Sequence, residues 1–272
     1  MSGHPSNDNP TESATTDRSL ETIRTLGRLL DDIERVRIMN SNRIGALERA
    51  HGEALPHLLE IRSPLDQAEH LAELELVRAW RKHPLAPWAK EIRGVGEKSI
   101  ARLIAEIGDP AIGTTGHWEK TTEAGEDDED EKTNREWVID DEFERTVSQL
   151  WAYCGLGDPA RNRIPKGAVQ SDLLKRGKPR AKKQLYLIGT SLIKSGIRSG
   201  EAISDWGQFY LDARVKYAER IHADACPPCH ATAGDPWKPG HQHMAALRLM
   251  EKEFLKGLWK EARRLRGLEV MG

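Results

Sequence analysis

EIRGVGEKSIARLIAEIGDP, residues Glu91–Pro110, sets two glycines one residue apart, then a lysine, a serine and an apolar repeat. Ile100, Leu103, Ile104 and Ile107 recur at helical steps, which predicts an amphipathic helix over 99–107. Gly108, Asp109 and Pro110 stop it. Upstream, Trp88, Ala89 and Ile92 predict a short helix, with Pro84 and Pro87 at its start. The product is helix, tight Gly-Val-Gly turn, helix, the pattern of a helix-hairpin-helix nucleic-acid motif. Glycines turn the backbone with positive φ and carry no Cβ. Free N–H groups at a helix start suit a phosphate. Gly94, Gly96, Lys98 and Ser99 are therefore candidate phosphate contacts. The competing reading is a plain helical corner whose glycines permit close packing.

The surrounding chain sets the class. Of its 272 residues, 38% are hydrophobic and 31% charged, which is enough apolar content for a core in one or two domains. β-Branched alternation is nearly absent, so the expected fold is mainly α. No apolar run approaches the ~20 residues of a membrane span. The polar stretch MSGHPSNDNPTESATTDRS at residues 1–19 lacks the apolar core of a signal peptide and reads as a disordered tail. The chain's three cysteines do not suggest a disulfide scaffold. These features favour the cytoplasm and no membrane partner.

Between the tail and the hairpin, residues 20–83 read as a coiled-coil or helical region. Ile23, Leu26, Leu30, Ile33, Ile44 and Leu47 form a heptad seam that Arg37 and Asn40 interrupt with polar groups. Such a seam serves a homo-oligomer, an intramolecular coiled coil or an ordinary amphipathic helix. Pro56 and Pro64 then punctuate the chain. Leu65, Ala68, Ala72, Leu76 and Trp80 give a second helix.

Residues 84–272 read as a helical DNA-binding domain interrupted by an acidic loop at 113–137. Six consecutive acids, Glu126 to Glu131, repel one another and favour a solvated loop. Phe143, Val147, Leu150 and Trp151 resume helical spacing, and Cys154 reads as a core residue. From Arg161 to Lys183 the balance inverts. Arg161, Arg163, Lys166, Lys175, Arg176, Lys178, Arg180, Lys182 and Lys183 face a single acid, Asp172, in a chain whose net charge is −2. Such a cluster neutralises phosphates and releases counterions, an electrostatic footprint for DNA or RNA. A helix is expected to follow from near Ala181, with Leu185, Ile188 and Leu192 buried.

HADACPPCHATAGDPWKPGHQH, His222–His243, holds a Cys-x-x-Cys pair, Cys226 and Cys229, followed by His241 and His243. His222 and His230 lie nearby. Thiolates and imidazoles at such spacing can close a tetrahedral structural zinc site. A reduced or redox cysteine pair is the alternative, although no βαβ pattern accompanies it. A last helix runs from Met244 through Leu247, Phe254, Leu258 and Trp259 and ends in Lys260, Arg263, Arg264 and Arg266, suited to its dipole and to phosphate.

The segments IRGVGEKSIARLIAEIGDP, LWAYCGLGDP, LLKRGKPRAKKQLYLIGTSLI, FYLDARVKYAER and ALRLMEKEFLKGLW occur in one order. Over residues 88–265 that order resembles the C-terminal half of insertion-sequence transposases of the IS-one-ten type. That family has a coiled coil before a GIGxxxA hairpin, then an AYxGL and a KRGxxxLR segment. The resemblance implies DNA cleavage and joining by a composite site. One part is an N-terminal RuvC-like domain with four acidic metal ligands. The other is a C-terminal serine nucleophile, guided by a structured RNA. This chain departs from the pattern. Nothing before residue 20 reads as a RuvC-like sheet. Lys166-Gly167 stands where Ser-Gly is usual, which leaves Ser171 as the serine of that stretch. Lys182, Lys183 and Gln184 occupy the place of the family's Leu-Arg. The Cys/His segment is not part of the family pattern.

Three functions are thus expected in order. The first is a transposase-derived DNA-binding protein, catalytically incomplete by itself. The second is an active strand-transfer enzyme using Ser171. The third is a coiled-coil adaptor whose basic segment binds an acidic protein.

Overall fold

The computed structural model describes residues 10–53, 55–123, 132–157, 176–226 and 229–270, with backbone alone at 10–17, 118, 121–123 and 132–137. The described chain is mainly helical. Its helices are α1 (Pro10–His51), α2 (Pro56–Arg81), α3 (Ala86–Glu91), α4 (Glu97–Ile107), α5 (Val147–Tyr153), α6 (Pro179–Gly196), α7 (Asp205–Ala218) and α8 (Pro239–Leu265). Strands β1 (Ile112–Glu123) and β2 (Lys132–Glu144) form one antiparallel hairpin, and β3 (Ile197–Arg198) and β4 (Glu201–Ala202) a two-residue one. None of the described helices is long and apolar enough to cross a membrane.

The helical hairpin decides the centre. On α4, Ile100, Leu103, Ile104 and Ile107 are all buried, and the helix packs on α1, α2 and α6. The seam of α1 turns inward as its spacing requires: Ile23, Leu30 and Ile44 are buried against the rest of the chain. The polar seam residues have partners on α2. Arg37 bonds Glu69, and the Asn40 side chain donates to the Leu58 carbonyl at 3.0 Å. α1 begins at Pro10, inside the stretch expected to be a disordered tail; residues 1–9 lie outside the described ones. α2 runs through Pro64 without a break, forgoing only the hydrogen bond that proline cannot donate.

Arg102 locks α4 to α1. Its guanidinium, almost fully buried, bonds Glu34 at 2.5 and 2.6 Å and Asp31 at 2.6 Å. The hydrogen bond from Arg102 holds the Glu34 carboxyl below the usual range. On the other side of the core, Phe254 of α8 meets Trp88 of α3 and Trp206 of α7, with ring centroids 5.7 and 6.1 Å apart. Cys154 is fully buried and burial pushes its thiol up to about 12, the state of an inert core cysteine.

The segment expected to be a loop at 113–137 is largely the β1–β2 hairpin, paired from Ile112 opposite Glu144 to Glu123 opposite Lys132 with a one-residue shift of register between Thr115 and Gly116. Phe143, expected on a helix, lies in β2 and covers Gly113 across the pair. Ile139 and Phe143 remain exposed, as do Asp140 and Glu142. A ribbon with solvent on both faces has no side to make apolar, so the two-residue alternation that reveals a strand does not arise. The acidic run 126–131 lies outside the described residues.

Candidate metal centre

Between α7 and α8 the described residues of 219–238 have little regular structure. Two isolated bridges, Ile221 with Pro236 and Cys226 with Ala231, fold it back on itself. The His222 N–H donates to the Asp235 carbonyl and the Gly234 N–H to the His222 carbonyl, each at 2.8 Å. Asp235 accepts from the Thr232 N–H at 2.7 Å and hydroxyl at 2.9 Å, which holds its carboxyl below the usual range. His230 adopts positive φ immediately after Cys229 and turns the chain sharply there. Trp237 stacks on His241 at 4.6 Å and on Tyr217 of α7 at 5.6 Å. These contacts tie the loop to both flanking helices.

The loop gathers His222, Cys226, Cys229 and His241, with one donor atom from each lying within 4.8 Å of the others. Cys229 Sγ is 3.3 Å from His222 Nε2, and Cys226 Sγ is 3.8 Å from His241 Nδ1. Metal–ligand bonds of about 2.0–2.3 Å at tetrahedral angles place neighbouring donors roughly 3.3–3.8 Å apart. Those two pairs fit that size, and all four donors lie within 4.8 Å of one another. His222 is 5% exposed, and burial, with the neighbouring His222 ring, holds the His241 imidazole below its ordinary value. The neutral imidazole so favoured is the form that binds metal. Two imidazoles and two thiols can therefore hold a metal ion.

No family model, curated protein or solved structure matches this chain. What the cluster can do follows from its geometry.

The structure corrects one expected ligand. α8 starts at Pro239, five residues before the expected Met244, with proline at its first turn where a missing N–H costs nothing. His241 and His243 thus stand on one helix two positions apart, and such residues point to different sides. His243 instead bonds the Tyr210 hydroxyl through Nδ1 at 2.6 Å. His222 takes its place. The signal available in the sequence was His222 four residues before Cys226, ahead of a turn able to fold back.

The expected phosphate-binding residues are dispersed into other work. Gly94 has positive φ, but its Cα faces α6: a Cβ there would collide with Ser195 Oγ and lie 3.1 Å from the Ser191 carbonyl. Close packing accounts for this glycine. Gly96 caps α4, and Ser99 is half-buried in its first turn. Lys98 pairs with Glu73 at 2.6 Å. Lys178 sits 3.0 Å from the Glu106 carboxylate, and Arg180 bonds Asp31 at 2.8 Å. At the end of α8, Arg263 pairs with Glu144 and Arg266 with Asp109, at 2.9 and 2.6 Å. Lys182 and Lys183 are exposed on α6, whereas Arg176 carries a buried Nη1 with no hydrogen-bond partner among the described residues. Ser171, Arg161, Arg163, Lys166 and Lys175 lie outside the described residues.

Proposed function

We propose that this chain is a zinc-containing DNA-binding protein of the transposase C-terminal kind, one that holds DNA and does not cut or join it unaided. The charge of residues 161–183 carries the reading: nine cations against one acid, in a chain of net charge −2. Its last two members, Lys182 and Lys183, stand exposed on α6. The helical order α3, Gly-Val-Gly turn, α4 and the paired α1 and α2 agree with the family resemblance. A structured RNA is a second partner that the same charge would hold. Zinc is the metal proposed for the cluster, because a closed set of two thiolates and two imidazoles suits a structural zinc ion.

The sequence identifies no base to take the Ser171 proton, and strand transfer needs an activated nucleophile and stabilised charge. The test is binding of duplex DNA as a function of salt. Several phosphate contacts give a log–log slope of about −0.9 per contact. Lys175→Ala with Lys183→Ala should flatten that slope by roughly two contacts. No detectable binding to DNA or RNA at low salt would overturn the reading in favour of an adaptor. Incubation with supercoiled plasmid and Mg²⁺ should give no covalent protein–DNA adduct. An adduct lost in Ser171→Ala would show an active enzyme instead.

A further inference from the structure

Beside the metal cluster, α6, α8 and the Trp237 loop enclose a cavity of about 320 Å³. That lies at the small end of ligand pockets, which run about 300–1,000 Å³, and suits one compact planar group. Leu156 and Leu247 give it an apolar floor, and Trp237 and His241 form the wall shared with the metal loop. Trp237 is fixed by its stacking on Tyr217 and His241. Tyr186, 44% exposed, is the aromatic ring left open to a ligand.

Glu251 is the unusual member. It is 6% exposed and lines the cavity, with Lys182 and Arg248 as its charged neighbours and no hydrogen bond to its carboxylate among the described residues. Burial pushes it up to about 7, against the opposing influence of Lys182 and Arg248. Its oxygens remain open to the cavity, and a ligand that donates hydrogen bonds would fill their acceptor capacity. Lys182 lines the same space, so an anionic group of the ligand would also be matched, whereas Arg248 there already donates to the Gly157 carbonyl at 2.6 Å. The ligand chemistry is thus a flat aromatic body, adjacent N–H donors on one edge, and a negative group.

We propose that this cavity receives a single unstacked guanine nucleotide, with its N1–H and N2–H donors on Glu251, its ring against Tyr186 and its phosphate toward Lys182. Guanine alone among the common bases sets two neighbouring donors on its pairing edge. Adenine and cytosine pair one donor with an acceptor, and uracil flanks its donor with carbonyls. Single-stranded bases are recognised in this way, splayed out, stacked on an aromatic ring and bonded along the pairing edge. The source within a strand rests on the nucleic-acid reading above, whereas a free guanine nucleotide has the same chemistry.

The experiment uses the full zinc-loaded chain. Calorimetric titration with GMP, IMP, AMP, CMP and UMP should give the tightest binding for GMP, by roughly tenfold or more over AMP, CMP and UMP. IMP, which lacks the N2 amino group, should fall between. Glu251→Gln should abolish the preference, and Tyr186→Ala, at an exposed position, should weaken all five, with zinc content and Tm serving as checks on folding. Equal binding of the nucleotides, or a preference that survives Glu251→Gln, would overturn the proposal. Single-stranded oligonucleotides with and without one guanine separate the two readings. Salt-dependent binding with no guanine preference would sink the pocket and leave the nucleic-acid reading intact. A GMP preference with no binding of any oligonucleotide would keep the pocket, as a free-nucleotide site, and sink the nucleic-acid reading.

Discussion

Two turns between helices carry the conspicuous residues of this chain, and they are held by different forces. The turn at 92–96 joins α3 to α4 and is backed by α6: Gly94 lies against Ser191, Leu192 and Ser195, and the helix that follows it is buried along one face. The loop at 219–238 joins α7 to α8 with two isolated bridges, and Ala231 is the one buried apolar residue among its described residues. The first has enough packing to hold its shape. Among its described residues the second buries little apolar surface against the ordering of its backbone, and with the first turn of α8 it brings together four side chains that could hold a metal ion. Glycine therefore marks packing in one turn, and cysteines and histidines mark a cluster able to hold a metal ion in the other.

The largest expected effect removes the metal. Chelation, or His222→Ala, should unfold 219–238 locally, since structural zinc contributes about 10 kcal/mol or more to small metal-held folds. Amide exchange should become fast in that loop and stay slow in α4. His243→Ala should leave the zinc content at one per chain; loss of zinc in that variant would restore it as a ligand and break the correction made above.

Gly94→Ala comes next. Positive φ costs an alanine about 1–2 kcal/mol, and overpacking against α6 about 1–3 more. A loss of roughly 4 kcal/mol in denaturant unfolding is expected. A near-neutral result would mean that the turn is open on that side, as a phosphate site requires.

His83, just before α3, offers a pH contrast. It is buried, stacks on Trp80 and accepts the Leu85 N–H at 3.2 Å, and burial lowers its pKa to about 4. The unfolded chain, with a value of about 6.5, binds the proton first. Stability from this group is therefore complete above pH ~6.5 and is lost as pH falls toward about 4. The loss should amount to about 3 kcal/mol, be absent in His83→Gln, and persist in chelator. Acid sensitivity of the metal loop comes instead from protons competing for its ligands, and should vanish once chelator has removed the metal.

The smallest effect is Gly234→Ala. This glycine also has positive φ, but a Cβ would meet nothing within 4 Å. Only the backbone term of about 1 kcal/mol remains. If it equalled the loss at Gly94, packing against α6 would not be what distinguishes the two turns.

The sequence by itself determined the helices with strong periodicity. The repeat of α4 and the seam of α1 each need one apolar face, and a face is a local pattern. It also marked Cys226, Cys229 and His241 as ligands, since short spacing on a loop constrains where donors can go. Tertiary structure decided the rest. Whether His222 or His243 completes the cluster depended on where α8 begins and which way its first turn points. The β1–β2 hairpin left no alternation because it has no buried side. Lys98, Lys178, Arg180 and Arg266 read as a surface for phosphate, but folding placed Glu73, Glu106, Asp31 and Asp109 beside them. No spacing or motif distinguishes Glu251, and only the approach of α6 and the Trp237 loop buried it beside a cavity. Periodicity and spacing are written along the chain, whereas charge pairing and burial depend on segments that meet only after it folds.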